Sequence, residues 1–243
     1  MGAGADGGGG GPGSDDPGGD EPGGDDPGGD ATDGRLRLAE LVATRLCHDL
    51  SGPLGTLMGA LEMLVEEPES AEEALALAGD VAGVLTARLR LLRAAWAGGA
   101  SGLGLDGFRA MAEGLATPRL RLDFDGLEAG ATFGPAAARV ALNVLLLAAD
   151  SLARGGVIRM AGDPGRELVV VLDGPRAAWP VGFAGFIADP ARAWAAVQAS
   201  AGVMASRGVQ APLTALVARS CKVRLSLLMA AGTEAAPPLL ITL

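Results

Sequence analysis

The chain has 243 residues and a net charge of −10; hydrophobic residues make up 49%, aromatics only 3%, and tyrosine is absent. Such a core is built from Leu, Ala and Val, which suits helix packing better than an aromatic-rich all-β fold, and the length suffices for a sizeable core in one domain or two. No segment is basic enough to track a nucleic-acid backbone, and the densest apolar run, Val140–Ala149, is half the ~20 residues of a membrane span, so neither nucleic acid nor membrane is expected as a partner.

Residues 1–34 form a Gly/Pro/Asp tract with Pro17, Pro22 and Pro27 at five-residue intervals. It contains nine acidic residues and no Lys or Arg, so the remaining chain is close to neutral. A segment this poor in apolar residues cannot offset its ordering entropy and is predicted to be a disordered acidic tail. Cys47 and Cys221 are far apart, and with a single histidine they make no usual zinc site. No leader segment is recognisable, which predicts a cytoplasmic protein with reduced thiols.

The first helix is predicted to start near Asp33 as its cap and to run through His48 to about Glu66. On a helical wheel Leu46, Leu50, Leu54, Leu57, Leu61 and Leu64 form one stripe, with His48 roughly opposite. Gly52, Gly55 and Gly59 follow His48 at i+4, i+7 and i+11, on its side of the helix. Glycine costs about 1 kcal/mol against alanine inside a helix. Three on one face suggest that a partner needs close access. Pro53 removes the bond to the Asp49 carbonyl, so a local bend is expected there.

Glu66–Glu69 is the predicted turn. Ser70 then opens a second helix with Glu73 completing a capping box. Leu77, Val81, Val84, Leu85, Leu89 and Leu92 supply its apolar side, Arg88, Arg90 and Arg93 its basic last turns, and Gly98-Gly99 its end. Residues 35–98 thus read as a helical hairpin that is unstable alone. Either a second copy completes a four-helix bundle or the C-terminal region covers the hairpin.

From 101 to 243 the pattern is mixed α and β. Asp106–Leu115 reads as a helix and Leu120, Leu122 and Phe124 as alternate positions of a strand. Pro135 to Arg154 is an apolar helix stopped by Gly155-Gly156. Strands follow at Val157–Met160, Leu168–Leu172 and Val223–Leu227, helices at Ala191–Ala201 and Pro212–Ser220, and Leu239–Leu243 closes the sheet. A sheet with helices on one face is the expected layering, giving an α+β chain.

His48-Asp49-Leu50-Ser51-Gly52-Pro53-Leu54 resembles the phosphoacceptor motif of sensor histidine kinases, and Arg45 to Leu64 is more closely similar to the start of the dimeric histidine phosphotransferases of the ChpT type. The resemblance implies a dimeric four-helix bundle followed by a degenerate Bergerat-like α/β sandwich. It implies that His48 Nε2 is the nucleophile and that Asp49 orients the ring through Nδ1–H. The implied partners are receiver domains, one on a hybrid kinase donating and one on a response regulator accepting, each bringing its own Mg²⁺. They would dock on Arg45, Ser51, Gly52, Gly55 and Gly59.

Kinases of this kind carry Asn-x-x-x-Asn, whereas Asn143 is followed here by Leu147. Their Asp-x-Gly-x-Gly is reduced to Asp173-Gly174-Pro175, and no glycine-rich lid follows. A leucine offers neither oxygen ligand nor N–H to magnesium phosphate, so no ATP and no bound cofactor are expected. Asn143 then reads as a satisfied polar residue and Asp173 as a turn former. Gly52 stands where the phosphatase-active relatives place Thr or Asn, so little receiver hydrolysis is expected. The alternatives are a non-catalytic adaptor that only binds receivers, and an active histidine kinase.

Overall fold

The computed structural model describes Met1 and residues 27–98, 102–200, 208–228 and 235–243. Helix α1 spans Pro27–Glu66 and helix α2 Ala71–Leu92, and the two pack against each other as a hairpin. A 3₁₀ turn, Pro68–Ser70, joins them, and a π-helical turn, Arg93–Ala97, extends α2 to Gly98, whose φ is +75°.

Three expectations for the hairpin are corrected. The predicted tail boundary at residue 34 and the cap at Asp33 do not hold, because α1 already begins at Pro27. The fixed φ of proline suits a first helical turn. The helix gains tertiary support just beyond: a methyl at Gly34 would lie 3.7 Å from the Trp194 ring, and Leu41 is buried with Val197 and Val209. The disorder expected for residues 2–26 lies outside the described residues. Ser70 is at the N-cap of α2, but its side chain makes no capping bond. The chain enters α2 directly from the 3₁₀ turn, with Ser70 at φ −98° and ψ 9° rather than extended, so the capping box does not form. Pro53 lies within an unbroken α1.

The C-terminal part carries strands β1 (Leu103–Gly104), β2 (Leu120–Leu127), β3 (Thr132–Phe133), β4 (Gly156–Asp163), β5 (Glu167–Asp173), β6 (Arg224–Leu227) and β7 (Leu239–Thr242). Its helices are α3 (Leu105–Ala112), α4 (Pro135–Ser151), α5 (Phe183–Ala188), α6 (Pro190–Ala199) and α7 (Gln210–Ser220). β2-β4-β5-β7-β6 form one mixed sheet in which only β2 and β4 are parallel; β1 and β3 form a small separate ladder. The β2–α4–β4 crossover imposes that parallel pair.

Strand alternation puts Phe124, Ile158, Met160, Leu168, Val170, Leu172, Leu225, Leu239 and Ile241 on the buried side of the sheet. Arg159 on the other side pairs with Asp173 at 2.8 Å and Asp123 at 3.6 Å across neighbouring strands. Helix α4 is the centre of the core, with Val140 to Ala148 all buried. It starts at Pro135 and gives way to Gly155-Gly156, both at positive φ. A Cβ at Gly156 would meet the Asp173 carbonyl at 2.3 Å, so this turn and the Asp173-Gly174 turn touch backbone to backbone.

The core holds α2's end, Leu91, Leu92, Ala94 and Ala95, and half-covers Leu38, Val42 and Leu46 of α1. The far half of the hairpin is different. Ala60, Ala74 and Ala78 are buried between its helices, while Leu54, Met58, Leu61 and Val65, at helical spacing on α1, are exposed, as are Leu75, Leu77, Val84 and Leu89 on α2. Of the predicted stripe, Leu46, Leu50, Leu57 and Leu64 are half-buried, while Leu54 and Leu61 are exposed. Among the described residues, no helix is long and apolar enough to cross a membrane.

Candidate functional site

His48 sits on α1 where the hairpin meets the α/β region. Its side chain is 43% exposed, and it borders two clefts of about 480 and 500 Å³ between the hairpin and the end of α4. A methyl added at Gly52, Gly55 or Gly59 meets nothing within 4 Å, so the strip beyond His48 is open. Ser51, also exposed, turns its hydroxyl back to donate to the Cys47 carbonyl at 2.6 Å.

Asp49 is tied down from both helices. Its Oδ2 accepts from Arg88 Nη2 at 2.7 Å and from Arg45 Nε at 3.4 Å, and its Oδ1 lies 3.5 Å from His48 Nδ1. Burial pushes the Asp49 carboxyl up. The Arg88 hydrogen bond and the charges of Arg45 and Arg88 outweigh that and hold it below its ordinary value. Arg45 forms a bidentate pair with Asp150, the penultimate residue of α4, at 2.7 and 2.9 Å. Burial lowers the Arg45 pKa, but Asp150 and Asp49 raise it on balance.

Arg45 was expected to face a docking partner. It does not: it is 3% exposed and points into the joint between α1 and α4. Buried charges need a fixed counter-charge, and here that is an acid 105 residues away, which helical spacing does not reveal. Arg88 and Asp150 are the residues sequence reasoning missed. Arg88 had a usable signal. Asp49 lies 19 residues before Pro68 and Arg88 20 after it (68 − 49 and 88 − 68), so two helices of equal rise bring them level.

The positions matching the kinases' nucleotide motifs are filled differently. Leu147 is 1% exposed in the core. Asn143 is fully buried; its Nδ2 donates to the Ala95 and Arg139 carbonyls, and its Oδ1 accepts from Gln210, which also donates to Thr214. It is the satisfied polar residue expected. Asp173 ends β5 at the turn and pairs with Arg159. Among the described residues, no group of three or more His, Cys, Asp or Glu is placed to hold a metal ion.

Residues 105–233 match the histidine phosphotransferase C-terminal domain family. The protein phosphotransferase ChpT of Brucella abortus (strain 2308) is 32% identical over 146 residues, spanning 57% of this chain and 68% of its own length. A bacterial phosphotransferase of known structure, solved at 1.7 Å, superposes with a TM-score of 0.61 at 22% identity, covering 85% of this chain and 95% of that one. At that identity the likeness speaks for the fold.

Proposed function

The chain belongs to the histidine phosphotransferase family, and from that premise we propose that His48 receives a phosphoryl group from the phosphoaspartate of one receiver domain and passes it to the aspartate of another. The observation that carries this is the exposed imidazole with Nδ1 toward Asp49 beside an open glycine strip. A neutral imidazole is a competent nucleophile near neutral pH, one nitrogen attacking while the other keeps the proton. The Nε2 lone pair forms the N–P bond as the donor's P–O bond breaks, and those electrons leave on the donor's carboxylate. The ring, still protonated at Nδ1, becomes cationic, and Asp49 stabilises it. The acceptor carboxylate reverses the step. Mg²⁺ belongs in this scheme to the receiver, which docks its active-site rim along Gly52, Gly55 and Gly59.

In the same proposal the α/β domain is a Bergerat-like fold without nucleotide chemistry, a reading supported by the burial of Leu147 and the internal bonding of Asn143. The protein works as a homodimer, with a second copy covering Leu54, Met58, Leu61 and Val65 to complete a four-helix bundle. Leu61→Glu is expected to shift the mass in light scattering from twice 24.1 kDa to that of one chain; an unchanged dimer would place the interface elsewhere. The function is tested by incubating the protein with a phosphorylated receiver. Acid-labile label on the wild type and none on His48→Ala is expected, and equal labelling of the two would refute the assignment.

A further inference from the structure

Asp49 has two oxygens with separate duties. Oδ1 faces the imidazole, while Oδ2 is held at 2.7 Å by Arg88, a residue of the other helix. Arg45 contributes a longer contact of 3.4 Å, and both its Nη groups are on Asp150. The firm grip on the carboxylate therefore comes from α2. Arg88 is itself anchored, with Nη1 toward the Gly114 carbonyl at 3.5 Å. A Cβ at Gly114 would meet the Ala87 carbonyl at 2.7 Å, so that backbone lies directly against α2.

We propose that Arg88 is a positioning residue for phosphoryl transfer: it fixes the Asp49 carboxylate so that Oδ1 keeps the proton on Nδ1 and leaves Nε2 as the attacking nitrogen. This rests on His48 being the phosphoryl acceptor. Which ring nitrogen carries the proton is set by the hydrogen bond the other groups offer, and an unrestrained neutral histidine side chain favours Nε2–H, the unreactive arrangement here. A carboxylate held at one oxygen by a guanidinium cannot rotate away from the ring without breaking a charge-assisted bond. Such a bond is shorter and stronger than a neutral one, and here it is partly shielded: the Arg88 and Asp49 side chains are 20% and 15% exposed. Arg88 touches neither the ring nor the phosphoryl group in this account; it acts through Asp49.

The chain has one histidine, so its imidazole nitrogens give two ¹⁵N resonances that need no assignment against others. The pH is raised until the two resonances stop moving, and the tautomer is read there. The wild type is expected to show Nδ1 protonated and Nε2 bare, and Arg88→Ala to shift the balance toward Nε2–H, with Arg88→Lys restoring it in part. In parallel, the rate of transfer from a phosphorylated receiver falls about ten- to hundred-fold in Arg88→Ala, the scale of a misplaced reacting group, and recovers in Arg88→Lys. If Arg88→Ala does not fold, Arg88→Met keeps the aliphatic stem and gives the same reading. An Arg88 that merely ties the two helices together would lower the unfolding temperature and leave both tautomer and rate unchanged; that result overturns the proposal, as does a wild type with Nε2–H. If the wild type takes no phosphoryl group at all, the His48 reading fails, while the tautomer spectra still decide the role of Arg88.

Discussion

Around His48 the hairpin leaves Gly52, Gly55 and Gly59 facing open space and Leu54, Met58, Leu61 and Val65 uncovered. In the α/β domain the reverse holds: Asn143, Gln210 and Thr214 are buried and bonded to one another, and helix α4 is enclosed by the core. Both regions contain small and polar residues, but one turns them outward and the other inward. An exposed apolar stripe of this kind is what the proposed second copy would cover. The Asn143 amide is bonded to protein partners at both its nitrogen and its oxygen, while the buried Oε1 of Gln210 accepts no bond. The two meet at the Arg88–Asp49–Arg45–Asp150 chain, where helices α1, α2 and α4 are joined by charge.

The comparison breaks most readily at Leu147. Replacing it with Asn restores the residue type found in the kinases. The expected result is a stability loss of about 3–5 kcal/mol from lost packing and a buried amide, read by thermal unfolding, with no Mg-ATP binding by calorimetry. Binding at micromolar affinity would show that the domain retains a nucleotide site. On the open side, Gly55→Trp puts a bulky ring on the strip, at a position where an added Cβ meets nothing within 4 Å. It should slow receiver-dependent transfer about hundredfold, or ~2.7 kcal/mol in the barrier, with an unchanged unfolding temperature. An unaffected rate would move the docking surface elsewhere.

The joint itself gives a smaller effect with a defined pH dependence. The carboxyl of Asp49 is held below its ordinary value. Its contribution is therefore complete above the unfolded value of about 3.9 and is lost as pH falls from there through the folded value. Asp49→Asn should be about 2 kcal/mol less stable at pH 7, and the gap should close as pH falls below ~4 in denaturant titrations. A gap independent of pH would mean that the pair with Arg88 is not what holds the carboxylate. Smallest of all, Gly55→Ala should stabilise the helix by up to about 1 kcal/mol, since nothing obstructs the added methyl. A destabilised variant would indicate that the strip is not open in solution.

Legibility in the sequence followed the range of the forces involved. Helix α4 and strand β2 were readable because proline, glycine and alternation are local signals, and the structure places them at Pro135–Ser151 and Leu120–Leu127. The start of α1 was not readable. Its Gly/Pro/Asp composition argues against a helix, and the support at Gly34 and Leu41 comes from residues near 194–209. The short α5 escaped notice because six residues carry too little periodicity. The shared helix side of His48 and the glycine strip was legible from spacing, whereas the roles of His48 and Asp49 were read from the resemblance of their motif. The burial of Arg45 was not, since its partner Asp150 is set by the docking of α4 on α1.

The most direct test offers the protein two phosphoryl sources side by side: γ-labelled ATP with Mg²⁺, and a phosphorylated receiver domain. The account predicts no label from ATP, and from the receiver an acid-labile label that maps to His48 and moves on to a second receiver. Label acquired from ATP alone, or label from the receiver that persists in His48→Ala, would contradict it.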